Sequence, residues 1–204
     1  MPIASETELI APGLWIWRFY DRAVKADLFS TGVAAGRRTY LIDPIRPALR
    51  AVTDLNARNA IAGIVVTNEN HERAAGIFAE QFQIPIHLHP VLLPAMALPR
   101  TEPVQDGDVF APGLIAIAIE GGPAGEIAVH CDADGGTMIM GDALINFEPY
   151  GFTLLPAKYC SNAKLMRRSL PKLLDYSFDR MLFAHGTPIV SGARQRLEEL
   201  LRQA

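Results

Sequence analysis

Apolar and polar positions fall into two rhythms, and they change over at one corner. Residues 64–66, Ile-Val-Val, form a short apolar, β-branched run that suits a buried strand. Thr67 and Asn68 interrupt it with side chains fit for a turn or a helix N-cap. From Glu69 to Phe82 the spacing becomes helical, with Ala74, Ile77, Phe78 and Phe82 on one face. Polar residues at the C-terminal end of a strand are where α/β folds tend to keep their chemistry.

The same rules carry through the rest of the chain. Residues 14–20, 26–33 and 38–43 are rich in aromatic and β-branched side chains and read as strands, with Gly36 marking a turn. Residues 47–59 have helical spacing through Leu49, Val52 and Leu55. A short strand is expected over 84–89 and a helical turn over 90–97. Further strands are expected at 114–119, 127–131, 137–142 and 180–184, the second and third paired as a hairpin. Residues 162–176 read as a helix with Leu165, Met166, Leu170, Leu173 and Leu174 inside, kinked or split by Pro171. Ser191 is placed to cap a closing helix over 192–202. Pro149, Gly151 and Pro156 mark 148–159 as irregular, a segment fit for a lid or a contact surface.

Composition narrows the class. The chain has 204 residues, enough for one well-cored domain over 1–204. Half its residues are hydrophobic, a fifth are charged, and the net charge is −3. That balance indicates no general attraction to nucleic acid or to an anionic membrane. No apolar run approaches the roughly 18 residues of a membrane span, and residues 1–8 lack the basic and apolar regions of a signal peptide. A cytoplasmic location is expected. Cys131 and Cys160, two and far apart, are then expected as free thiols.

The corner resembles the metallo-β-lactamase superfamily, in which an apolar strand runs into T-H-x-H-x-D-H-x-G-G. Here the stretch stands as Thr67-Asn68-Glu69-Asn70-His71-Glu72-Arg73-Ala74-Ala75-Gly76. The resemblance extends to Tyr40-Leu-Ile-Asp-Pro44, the turn at 106–108, the loop at 122–126, the strand ending Gly141-Asp142, and His185-Gly186 before the last helix. It implies the fold of that family: a mixed α/β chain forming a four-layer αββα sandwich.

It also implies a site of one or two zinc ions, yet most of the ligands are exchanged. Asn68 and Asn70 stand for the first two histidines, Glu72 for the aspartate, Arg73 for the next histidine, and Gly122 for the histidine of a later loop. Asp142 and His185 keep the family's residue types. A carboxamide is a weak zinc ligand, and a guanidinium repels a cation. Zinc takes about three or four protein ligands, so the count favours a remnant pocket of Asn68, Asn70, His71, Arg73 and Gly122. No cofactor is expected in it. It would bind a small molecule or a second copy of the chain rather than act as a zinc hydrolase. The Arg73 guanidinium is expected to pair with Asp142 as a bidentate fork in place of the metal. The alternative is a hydrolase of esters, lactones, thioesters or phosphoesters. There Glu72, Asp142 and His185 are the catalytic residues, and Asp142 and His185, with Glu72 or His71, hold one zinc, manganese or iron ion. His71 lies between two family ligand positions, where a side chain would normally point elsewhere. His87 and His89 share a strand face but lack a third ligand, and His130 reads as structural.

Overall fold

A computed structural model describes residues 3–4, 7–23, 25–47 and 59–203. The helix expected over 47–59 therefore lies almost wholly outside the described residues. Short strand β1 (Ile3–Ala4) pairs in parallel with β6 (Arg46–Pro47). The larger sheet has seven strands in the order β2 (Glu8–Ala11), β3 (Leu14–Asp21), β4 (Ala26–Ala35), β5 (Arg38–Ile42), β7 (Ala60–Val66), β8 (Ile86–Leu88) and β9 (Thr101–Pro103). The second has five: β10 (Val109–Ala111), β11 (Leu114–Ala118), β12 (Ile127–Cys131), β13 (Thr137–Met140) and β16 (Arg180–Phe183). A hairpin of β14 (Leu144–Phe147) and β15 (Gly151–Leu154) stands beside it.

Period two explains how these strands build layers. Along β3, Trp15 and Trp17 point to one core while Leu14 and Ile16 point to another. Along β7, Ile64 and Val66 join the first core and Val65 the second, so the run is apolar on both faces. In the second sheet Ile139 and Leu182 face the first sheet, while Met138, Met140, Met181 and Phe183 face a third core. Helix α1 (Ala75–Phe82) covers the outer side of the larger sheet through Ala75, Phe78 and Ala79. Helices α2 (Ala163–Ser169) and α3 (Ala193–Gln203) cover the outer side of the smaller through Met166, Ala193 and Leu197. Three cores between helices, sheet, sheet and helices make the four-layer αββα sandwich. No helix among the described residues is long and apolar enough to cross a membrane.

Several elements differ from the sequence expectation. The helix after β7 begins at Ala75 rather than Glu69, because Asn68 and His71 turn their side chains inward and Arg73 takes a left-handed φ of 43°. Ile77 consequently lies on the exposed side. The helix expected over 162–176 is split: Asn162 caps α2 by accepting from Leu165 N at 3.0 Å, and a 3-10 helix, Leu170–Asp175, follows at Pro171. Leu165 is exposed rather than inside. The segment 148–159 is ordered as β15 and a 3-10 turn, Ala157–Tyr159. Cys131 and Cys160 are both free thiols.

Two parallel pairs, β5 with β7 and β13 with β16, end at the same edge of the sandwich. Backbone bonds join the sheets there: Phe29 N donates to Ala184 O at 2.9 Å and Ile127 N to Thr67 O at 2.8 Å. The residues just past these strand ends are Asp43, Thr67, Gly141-Asp142 and Ala184-His185.

Candidate functional site

Asp43 follows β5 and is buried, which leaves a carboxylate in need of donors. Thr67, just past the neighbouring β7, supplies two: its N–H to Oδ1 at 2.9 Å and its hydroxyl to Oδ2 at 2.6 Å. Having given its hydrogen to Asp43, the Thr67 hydroxyl accepts from His71 Nδ1 at 2.8 Å, and that nitrogen is also 2.9 Å from Asp43 Oδ2. The hydrogen on His71 is thereby fixed at Nδ1. The other ring nitrogen, Nε2, then faces Asp142 Oδ1 at 3.2 Å.

Asp142 follows β13. Its Oδ2 accepts from Asn68 Nδ2 at 3.1 Å, and the same amide donates to Glu126 Oε2 at 2.7 Å. Glu126 Oε1 accepts from Ala143 N at 2.8 Å. His185 Nε2 reaches Asp142 Oδ1 at 3.3 Å from beyond β16. Two buried atoms meet at this point without a hydrogen-bond partner, His71 Nε2 and Asp142 Oδ1. They are close, but the geometry between them is not that of a hydrogen bond.

The electrostatics follow from burial against charge. Burial pushes the Asp142 carboxyl up, but the charge of His71 and then His185 overcomes it and holds the group well below its usual range. Burial also works against a charged His71, yet Asp142 and Asp43 outweigh it and raise the ring to about 9. Asp43 is lowered in spite of its burial by His71, by Arg73 and by the Thr67 hydroxyl. Glu126 goes the other way, raised to about 8 by burial and then by the charge of Asp142, against the opposing bonds from Ala143 and Asn68.

The donor set can hold a metal ion. His71, Asp142 and His185 offer ligand atoms all within 4.8 Å of one another. Tetrahedral ligands about 2.0–2.1 Å from zinc stand about 3.3–3.4 Å apart, close to the 3.2 and 3.3 Å found around Asp142 Oδ1. Two imidazoles and one carboxylate also suit manganese or iron(II). The Asp43–Thr67 pair behind His71 is the kind of outer support that fixes a ligating ring's tautomer. His185 is the open side of the group: its side chain is 19% exposed against 3% for His71.

The structure sorts the residues singled out from the sequence. Asp142, His185 and His71 come together, so His71 lies at the centre rather than pointing elsewhere. Glu72 does not join them. It is exposed and lines a separate groove with Gly76, Ile77 and Glu80. Asn70 is exposed as well, and only its backbone N–H bonds inward, to Asn68 Oδ1 at 2.8 Å. Arg73 forms no fork with Asp142. Its Nη1 donates to the carbonyls of Phe29 and, at 2.9 Å, Asp43, and its Nη2 is buried without a partner. Gly122 is buried, and a Cβ there would meet Glu126 Cβ and Cγ at 3.2 Å. His87 is packed against Tyr40 and Phe110, and His130 bonds Ser177 O at 2.8 Å.

Asp43, Thr67 and Glu126 carry the site with no such role expected of them. A signal for the first two exists: both follow apolar runs, and parallel neighbouring strands bring their C-terminal ends together. Glu126 follows a Gly-rich loop, and nothing in its local spacing announces a buried carboxyl.

Comparison with known proteins agrees with this architecture. No curated protein sequence matches the chain. Among solved structures it is similar to a metallo-beta-lactamase family protein from Thermus thermophilus, at 19% identity over 96% of this chain and 80% of that one, with a TM-score of 0.68. It is similar to a metallo-beta-lactamase from Pontibacter korlensis at 17% identity, covering 98% and 99% of the two chains, TM-score 0.72. A third, from Hirschia baltica, gives 13% identity, 97% and 96% coverage, TM-score 0.71. At such identities these likenesses show the fold alone. The family model described as Metallo-beta-lactamase superfamily matches residues 7–203, and with nearly the whole chain matched, the protein belongs to the metallo-β-lactamase superfamily.

Proposed function

We propose that the protein is a single-metal hydrolase of its superfamily, with His71, Asp142 and His185 as the ligands of one zinc, manganese or iron ion. One observation carries this: two buried atoms, His71 Nε2 and Asp142 Oδ1, face each other at 3.2 Å without hydrogen-bond geometry, with His185 Nε2 beside them. A buried pair of this kind needs a positive charge, supplied either by the proton that Asp142 and Asp43 hold on His71 or by a metal ion that displaces it. Three protein ligands with an open side is the catalytic rather than the structural pattern.

Each residue has a part. Asp43 and Thr67 hold His71 with its hydrogen at Nδ1. Asn68 holds Asp142 by Oδ2 and so turns Oδ1 toward the two histidines. The exposed edge of His185 sets the side from which substrate approaches. Next to it, Gly186 and Thr187 line a cleft of about 330 Å³ with Phe29, Tyr20, Asn146 and Phe147, a volume suited to a small molecule. Bound in this site, the ion supplies Lewis acidity and activates water as the nucleophile. The reaction class is hydrolysis of an ester, lactone, thioester or phosphoester.

The metal-free remnant pocket has one observation in its favour: Asn68 and Glu126 fill space beside Asp142 with their own hydrogen bonds. The two readings separate in one experiment. Protein loaded with zinc or manganese and desalted is screened against aryl esters, thioesters, lactones and phosphodiesters, with chelated protein and a His185→Ala variant alongside. Turnover that chelation and His185→Ala both abolish supports the hydrolase. No turnover by any loaded form favours the binding pocket.

A further inference from the structure

We infer that the Asn68 carboxamide stands in for a second cation and limits the pocket to one metal ion. This rests on the single-metal reading above and adds to it what fills the space on the far side of Asp142. Asn68 Nδ2 lies 2.7 Å from Glu126 Oε2 and 3.1 Å from Asp142 Oδ2. Two buried carboxyl groups therefore share one nitrogen and use both of its hydrogens. A divalent cation between carboxylate oxygens is the other way to satisfy such a pair.

The amide cannot turn to offer its oxygen to a cation. Asn68 Oδ1 already accepts from Asn70 N at 2.8 Å, which fixes the NH₂ toward the carboxyl groups. Glu126 is equally fixed, since its Oε1 accepts from Ala143 N at 2.8 Å. Room for Glu126 comes from Gly122, where a Cβ would stand 3.2 Å from Glu126 Cβ and Cγ. The exchanges at 68 and 122 thus belong together: one removes a side chain, and a carboxyl group and an amide close the space. Asp142 is left with one free oxygen, Oδ1, and so serves one ion.

The test is the number of Mn²⁺ ions bound per chain at saturation, by equilibrium dialysis, in wild type, Asn68→Gly and Asn68→Asp. Circular dichroism confirms that each variant is folded. One equivalent is expected for wild type and two for either variant, with a return to one in Asn68→Gly combined with Glu126→Gln. Two equivalents in wild type overturn the inference without recourse to any variant. No gain in the folded variants overturns it too. A wild type that binds none sinks the single-metal reading and the limit of one ion with it, whereas one equivalent in wild type and in every folded variant overturns the role of Asn68 and leaves the single-metal reading intact.

Discussion

Replacing Asp43 by Asn tests whether the cluster is organised from behind. The substitution keeps shape and removes one acceptor oxygen and the charge. In the wild type Oδ1 accepts from Thr67 N at 2.9 Å, and Oδ2 accepts from Thr67 Oγ1 at 2.6 Å and lies 2.9 Å from His71 Nδ1. An Asn NH₂ must face one of these donors, so a buried bond becomes a clash of hydrogens. Removing one partner of a buried charged pair costs about 3–5 kcal/mol. The exposed pair of Arg18 with Asp27, at 3.5 Å, is the contrast, since such pairs contribute about 0–1 kcal/mol. Urea unfolding in chelator should therefore show Asp43→Asn less stable than wild type by about 3–5 kcal/mol and Asp27→Asn nearly unchanged. Because the Asp43 carboxyl is lowered on folding, its contribution is complete above the unfolded carboxylate range and is lost as pH falls. The gap between wild type and Asp43→Asn should narrow below about pH 4. Losing an outer partner of a ligating imidazole also weakens metal binding about 10–100-fold, measurable by calorimetry at pH 7. An Asp43→Asn protein as stable as Asp27→Asn, with unchanged metal affinity, would refute the reasoning.

Other substitutions follow the same geometry. Glu72→Gln should leave metal content unchanged, because Glu72 lies outside the cluster; a loss seen by elemental analysis would restore it as a ligand. Gly141→Ala places a Cβ 2.8 Å from both Glu126 Oε1 and Thr67 Oγ1, and chemical denaturation should show a loss of about 1–3 kcal/mol from overpacking. His87 is buried and its pKa is lowered, chiefly by that burial, so the unfolded chain takes up the proton first. The His87 contribution should be constant above about pH 6.5 and turn destabilising below it, so the difference in unfolding midpoint between wild type and His87→Gln should shift in favour of the variant on going from pH 7.5 to 5.5.

The four-layer sandwich is written in the alternation of strands such as β3 and β13, which sends successive side chains to different cores. Turn and apolar signals placed β3, β4, β5, β12 and β16 close to their observed positions. The site was less legible because its logic is not local. A ligand count by position favours a metal-free pocket, since Asn68, Asn70, Arg73 and Gly122 have lost ligand chemistry. In the folded chain His71 reaches the centre from a loop that does not become a helix until Ala75. Arg73, expected to meet Asp142, is drawn instead to the carbonyls of Phe29 and Asp43. Which way a side chain points from an irregular loop depends on backbone angles and on partners 24 and 58 residues away, Asp43 for Thr67 and Glu126 for Asn68. Residue spacing cannot register these.

The most direct measurement is the zinc content of the wild-type protein after loading and desalting, beside His71→Ala, Asp142→Ala and His185→Ala. About one equivalent is predicted in the wild type and near zero in all three variants. A wild type without retained metal, or a His71→Ala variant that keeps its full equivalent, would contradict the single-metal site.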